Sequence, residues 1–447
     1  MFATAPSRTP LVLSSSQMRS PPSTDLNRWA TLCLELTYEV LTYCLSGATL
    51  DVCTPGLYPW YLGHVCTLWR SFIFSPCFWD RFTFQARGLE TITIGQLQRA
   101  LELVQLCIER TKNHPFSFSF EAYDLEVSQS LYAIQILEAL VVHADRWRAA
   151  YFKADLDGLQ ESLTKAKGRF VQLRTLQICS ISLSVSYIAS DLFEDAPNLT
   201  CVYITDYHRL RWSNVTVLHI DLGLEFAHTF YVELEHMTSL EELVVRGSSF
   251  CHDLANVPVE MPSLKTFSVD DDFPLSLIRA PSLERLYLAN TLMGTDIQAV
   301  ETFLRGVNHL NTLSLRALRN VDVATIIDFT PELDHLIFTG QASFLDALGS
   351  LASRSAACSL RKINVNVGVP SSTPSSVLIM HQLTNIIKFW DKHQLPKLHF
   401  LSVYVDNHGE EDMTSAVGDL IRLGTDKGLE VDISSTTFPA VLSFGDL

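Results

Sequence analysis

A six-residue pattern, apolar at its first, fourth and sixth positions, recurs ten times between residues 173 and 403. A chain that repeats itself in this way can bury those positions only by stacking one copy against the next. The copies are Leu173-Arg-Thr-Leu-Gln-Ile, Leu199-Thr-Cys-Val-Tyr-Ile, Val215-Thr-Val-Leu-His-Ile, Leu240-Glu-Glu-Leu-Val-Val, Leu264-Lys-Thr-Phe-Ser-Val, Leu283-Glu-Arg-Leu-Tyr-Leu, Leu310-Asn-Thr-Leu-Ser-Leu, Leu333-Asp-His-Leu-Ile-Phe, Leu360-Arg-Lys-Ile-Asn-Val and Leu398-His-Phe-Leu-Ser-Val. Their first positions lie 26, 16, 25, 24, 19, 27, 23, 27 and 38 residues apart, enough for a short strand and a return segment. Pro197, Pro262, Pro281 and Pro396 stand two residues before a copy and punctuate entry to the strand.

The array is expected to begin earlier. Gly95 to Arg110 has Leu97, Leu101, Val104 and Ile108 at helical spacing, Pro115 to Phe120 alternates as a strand does, Ser128 to Ala144 reads as a second helix, and Arg146 to Phe152 as a second strand. Leu429 to Ile433 would close the array as a capping strand. The 16- and 19-residue spacings leave no room for a full helix between strands, whereas the 38-residue spacing predicts a loop over Gly368 to Ser376 and a helix over Val377 to Lys392. This organisation resembles the irregular leucine-rich repeats of many fungal F-box proteins, from about Pro115 to the end. The expected fold is α/β: a solenoid with one parallel sheet, helices and loops on its convex side, covering residues 91–447, with the clear repeats from 173.

With the buried positions fixed, the residues between them must line the concave face, because successive side chains of a strand point to opposite sides. The fifth positions form a central column: Gln177, Tyr203, His219, Val244, Ser268, Tyr287, Ser314, Ile337, Asn364 and Ser402. Glu242, Arg285, His335 and Lys362 run along one flank, and Asp221, Arg246, Asp270, Arg316 and Tyr404 along the other. Aromatic and arginine side chains supply most of the energy in protein interfaces, so Tyr203, His219, Tyr287, Arg316 and Tyr404 are the candidate substrate contacts.

The stretch from Trp60 to Phe84 is the second informative feature. Leu62, Val65, Cys66, Trp69, Phe72 and Ile73 recur at three- and four-residue steps, which predicts one helix face. Ser75-Pro76 stops it, placing Phe78 and Trp79 on a separate short element. The pattern Val-Cys-x-x-Trp-Arg followed by Pro-x-x-Trp resembles the second half of an F-box, and Leu32 to Leu41 resembles its first half, with Cys33 and Leu34 where the family has proline. The resemblance implies a helical module over residues 25–90 that docks on a Skp-type adaptor, and through it on a cullin, by way of Leu32, Leu36, Val40, Leu62, Val65, Trp69, Pro76 and Trp79. The implied function is that of a substrate-recognition subunit of a Skp-cullin-F-box ubiquitin ligase, with an unidentified protein substrate on the repeats. The competing expectation is a repeat scaffold without any ligase.

Composition narrows the alternatives. Acidic residues number 49 against 33 Lys plus Arg, a formal net charge of -16 that disfavours nucleic acid and anionic membrane as partners. The longest helical apolar run, Leu131 to Val142, is too short to span a bilayer. Residues 1–24, rich in Ser and Pro, read as a disordered tail. Ten cysteines stand singly with no Cys-x-x-Cys pair and no secretory signal, as expected of reduced thiols in the cytoplasm or nucleus. No catalytic motif is present, so neither enzyme activity, cofactor nor metal is expected; His64 with Cys66, and Cys251 with His252, read as packed residues rather than ligands.

Overall fold

The computed structural model describes residues 34–44, 48–56, 60–87, 92–154, 156–180, 191–205, 208–223, 227–247, 258–270, 273–289, 297–316, 326, 329–339, 360–367, 383–384, 387–388, 400–405 and 411–434. The tail 1–24, Leu32 and the loop 368–376 lie outside them; of the helix expected over 377–392, Leu383, Thr384, Ile387 and Lys388 are described and helical.

The protein is α/β, built on one parallel sheet with fifteen strands among the described residues. In chain order these are β1 (Leu50–Asp51), β2 (Arg81–Arg87), β3 (Phe116–Tyr123), β4 (Trp147–Ala154), β5 (Thr175–Ser180), β6 (Cys201–Ile204), β7 (Val217–Asp221), β8 (Glu242–Arg246), β10 (Thr266–Asp270), β12 (Arg285–Ala289), β13 (Thr312–Arg316), β14 (His335–Thr339), β15 (Lys362–Val367), β16 (Phe400–Val405) and β17 (Glu430–Ser434). Each pairs with its neighbours in that order, as in a solenoid. Two further strands, β9 (Val259–Glu260) and β11 (Ile278–Arg279), pair with each other apart from the main sheet.

All ten copies of the repeated pattern place a strand in this sheet, and Leu429 to Ile433 supplies its last one. From Leu173 to Leu315 every first, fourth and sixth position is at most 2% exposed. The copies are joined by a recurring backbone arrangement just ahead of each strand. The carbonyls of Arg174, Thr200, Thr216, Glu241, Lys265, Glu284, Asn311 and Asp334 each accept two successive N–H groups from the following repeat. Asn198 and Asn214 extend this stacking, their amides donating to Val171 O and Pro197 O at 2.7 Å.

The return segments vary as their lengths require. After β2 and β3 they are full helices, α3 (Ile94–Thr111) and α4 (Val127–Val141), whereas the short repeats following β6 and β10 carry single 3-10 turns at Trp212–Asn214 and Leu275–Leu277. Both helix starts hold reciprocal caps: Thr93 with Gln96, and Glu126 with Gln129.

The sheet also begins earlier than the leucine pattern. β2 pairs with β3 over seven residues and β1 pairs with β2, so the sheet crosses residue 90, where the sequence places the edge of a separate helical module. In these first strands phenylalanine replaces leucine: Phe82 stacks on Phe116 at 5.6 Å, Phe84 lies 5.1 Å from Phe120, and Phe118 meets Trp147 at 4.8 Å.

One turn tolerates no side chain. Gly247, just after β8, has φ +109, and a Cβ there would lie 2.3 Å from the carbonyl oxygen of Leu222 in the preceding repeat. Gly247→Ala therefore meets both backbone strain and a backbone clash, and should lower stability by about 1–3 kcal/mol, measured as a fall in the urea midpoint with little change in slope.

Candidate binding surfaces

The helical segment before the sheet consists of α1 (Leu34–Cys44), a 3-10 turn at Trp60–His64, α2 (Thr67–Phe72) and a second 3-10 turn at Pro76–Phe78. The single helix face predicted over Leu62 to Ile73 is broken: Cys66 is extended, at φ -161 and ψ 172, and its Sγ accepts the Trp69 N–H to start a new helix. The break turns Val65 outward at 58% exposed, while Leu62 and Ile73 stay buried. Arg70 bridges it by donating from Nε to Gly63 O at 2.9 Å. His64 and Cys66, expected to be packed, are both exposed.

Pro76 stops α2 as expected, and Trp79 follows on the next turn. Trp79 is only 3% exposed, its indole N–H donating to the carbonyl of Ile73 and its ring meeting Trp60 edge-on at 5.8 Å. From α3, the Arg110 guanidinium lies 4.5 Å from the Phe74 ring and 5.8 Å from that of Trp79. Of the residues assigned to adaptor docking, Leu62 and Trp79 are therefore core, fixing the segment to the sheet. Trp69 and Pro76 are half-buried, and Leu36, Val40 and Val65 are exposed.

On α1 Leu41 is buried, while Tyr38, 36% exposed, packs its ring on Phe72 and Phe78 with its hydroxyl 3.2 Å from Cys77 Sγ. Leu36, Val40 and Tyr43, at positions i, i+4 and i+7, form an outward stripe 49%, 45% and 83% exposed. Tyr61 and Phe74 of the same segment are exposed too. Sequence reasoning missed Tyr43, Tyr61 and Phe74 because an aromatic side chain in a patterned stretch reads as core.

The second surface is the side of the sheet opposite the leucines. The register aligns Gln177, Tyr203, His219, Val244, Ser268, Tyr287, Ser314, Ile337, Asn364 and Ser402 in one row, as the fifth positions require. That row is less open than expected. Tyr203 is 8% and His219 3% exposed, because each is hemmed in by its neighbours in the row, their rings meeting edge-on at 4.5 Å. Tyr287 is half-buried; Arg316 and Tyr404 lie on β13 and β16, but their side chains are outside the described residues.

Glu242 is the hub of this region. A carboxylate can only accept, so His219 Nε2 carries the proton it donates across 2.9 Å to Glu242 Oε1. This hydrogen bond, with the charges of His219 and Arg285 assisting, holds the Glu242 carboxyl below its usual range despite burial. Burial pushes the Tyr203 hydroxyl up to about 12. A second polar group lies on the early strands, where Glu121 receives Gln85 Nε2 at 3.2 Å and Arg87 Nη2 at 3.1 Å. Burial raises the pKa of Cys179, so the thiol there is a poor nucleophile.

No protein-family model matches this chain, and no curated protein matches it. Among the described residues no helix is long and apolar enough to cross a membrane, and no three His, Cys, Asp or Glu side chains are grouped to hold a metal ion. What both surfaces offer is side chains for contact.

Because Glu242 has a depressed pKa in the folded state, its contribution is present above the ordinary value of 4.5 and is lost as pH falls through the lower folded value. Glu242→Gln should cost roughly 1–2 kcal/mol near neutral pH, with the gap from wild type closing on acidification, as read from urea midpoints across the acid limb.

Proposed function

We propose that this protein is a substrate-recognition subunit of a Skp-cullin-F-box ubiquitin ligase, in which residues 34–79 dock on the adaptor and the open face of the sheet holds a protein substrate. The observation that carries the reading is the apolar stripe of Leu36, Val40 and Tyr43 on α1, accompanied by exposed Tyr61, Val65 and Phe74 in the same short helical segment. Clustered exposure of this kind is costly in water unless a partner covers it. The motif resemblance and the solenoid-like sheet supply the rest of the support.

In this reading the protein performs no bond chemistry. It holds a substrate lysine near a charged conjugating enzyme and so raises its effective concentration, which acts on the rate as an intramolecular reaction does.

The alternative, a binding scaffold without a ligase, draws on a specific observation too. Leu62, Ile73, Phe78 and Trp79 are packed into the same core as the first strands, which is the behaviour of a cap that seals the end of a repeat array.

Exposed residues distinguish the two. Val40→Glu with Val65→Glu should leave the circular dichroism spectrum and thermal midpoint near those of wild type while abolishing co-purification with a recombinant Skp-type adaptor. If the wild-type chain also fails to co-purify, the scaffold reading stands. Trp79→Ala is unsuitable for this purpose, because removing a buried indole should cost about 3–5 kcal/mol and disturb the whole N-terminal end.

A further inference from the structure

The shortest repeat buries a side chain that does not suit its surroundings. Sixteen residues separate the pattern's first positions at Leu199 and Val215, and among its described residues the return segment from β6 to β7 carries only the 3-10 turn at Trp212–Asn214. Within it His208, Leu210 and Trp212 all turn inward, at 7%, 6% and 3% exposed. Neither Nδ1 nor Nε2 of His208 has a hydrogen-bond partner. A buried ring with both nitrogens unsatisfied costs stability even when neutral, and a proton on it would place an uncompensated charge in the core. The fold therefore accepts the neutral imidazole alone.

No charge nearby offsets this. Burial, with no charged group contributing, pushes the His208 pKa from an ordinary 6.5 down to about 4. The ionisable groups of the adjoining segments act on other partners or face water. In the preceding return segment Asp191, Glu194 and Asp195 act on Lys167. Beside His208 itself, Arg209 acts on Asp191 and Arg211 is exposed. In the following segment Glu235 acts on Tyr231, and His228 and His236 are exposed. On β7, His219 is held by Glu242. Because the folded value lies below the unfolded one, the full stability of this segment is present above pH 6.5 and is lost progressively as pH falls toward 4.

We propose that His208 is an acid-sensitive latch, which keeps the return segment between β6 and β7 closed while its imidazole is neutral and releases that segment when the imidazole is protonated. The segment is suited to opening without the rest of the array. It belongs to the shortest repeat, and it is stitched to the preceding one by the N–H groups of Thr216 and Val217 on the Thr200 carbonyl and by the Asn214 amide on Pro197 O. Local opening of this kind takes less free energy than global unfolding. Release would loosen the edge-on contact of Tyr203 with His219, so the middle of the open face would change its form with pH. The inference holds whatever that face binds.

The test is amide hydrogen exchange of the full chain at about pH 7 and about pH 5, expressed as protection factors, which remove the intrinsic pH dependence of exchange. The two pKa values set the size of the effect: protection of the Asn214, Val215, Thr216 and Val217 N–H groups should fall about twentyfold between these conditions. The N–H groups of Thr266 and Arg285 make the same kind of bond between repeats, in a stretch from Asp253 to Asn308 that contains no histidine, and should change less than about twofold. His208→Leu should abolish the fall. His208→Gln, which stays polar but cannot titrate, should abolish it too, even where protection is lower at both pH values, whereas His219→Gln should leave it in place. An equal fall at Thr266 and Arg285, no fall in the wild type, or an undiminished fall in the His208 variants would each overturn the proposal. The wild-type pattern, together with His219→Gln, decides the matter should a His208 variant fail to fold.

Discussion

The structure depends on the fact that no single repeat can satisfy itself. A strand with three apolar side chains on one face gains little alone, since burying each is worth about 1.5–3 kcal/mol only when a neighbour covers it. The same is true of its backbone. Each carbonyl ahead of a strand, from Arg174 to Asp334, receives two N–H groups from the following repeat, so hydrogen bonding and apolar burial are completed across the same boundary. Stability is consequently a property of adjacent pairs, and the two ends of the array are where partners run out.

The ends are closed differently. At the C-terminal end β17 presents Glu430 and Asp432 among its strand residues, charges that discourage further strand addition, and the helix Glu411–Lys427 packs against it closely enough that a Cβ on Gly424 would lie 2.3 Å from Val431 Cγ2. At the N-terminal end β1 covers only two residues of β2, and the helical segment completes the closure through Leu62, Ile73, Phe78 and Trp79. Arg146 reinforces this half of the molecule: buried, it donates to the carbonyls of Ile108 and His114 near the end of α3 while lying 5.3 Å from the Phe116 ring. A cation at a helix C-terminus is placed where the helix dipole favours it.

The sheet was legible because leucine at fixed offsets reports a single physical requirement that recurs in every repeat. β2 was not read, although Phe82, Phe84 and Ala86 alternate as buried strand residues do, because the segment follows directly on a motif that explains aromatic residues otherwise. The open face was legible in its alignment but not in its exposure. Whether Tyr203 or Ser402 can meet a partner is decided by side chains in register on neighbouring strands, twenty or more residues away in sequence for most pairs. The break at Cys66 was invisible for a related reason. Helical spacing is satisfied equally by a continuous helix and by two short ones, and only the packing of Ile73 onto Gly63, where a Cβ would lie 2.8 Å from Ile73 Cδ1, favours the second.

That break decides how the helical segment can serve two ends. In one continuous helix Leu62, Val65, Trp69 and Ile73 would share a face, and the face could either seal the sheet or meet a partner. With the chain extended at Cys66, Leu62 and Ile73 turn toward the core while Val65 turns away from it, and α1 divides in the same manner, Leu41 inward and Leu36, Val40 and Tyr43 outward. A surface for docking thus coexists with an apolar seal over the first strands, and substitutions on the two sides should report different properties of the molecule. The inward set reads out the stability of the array, whereas exposed Val40 and Val65 of the outward set read out association.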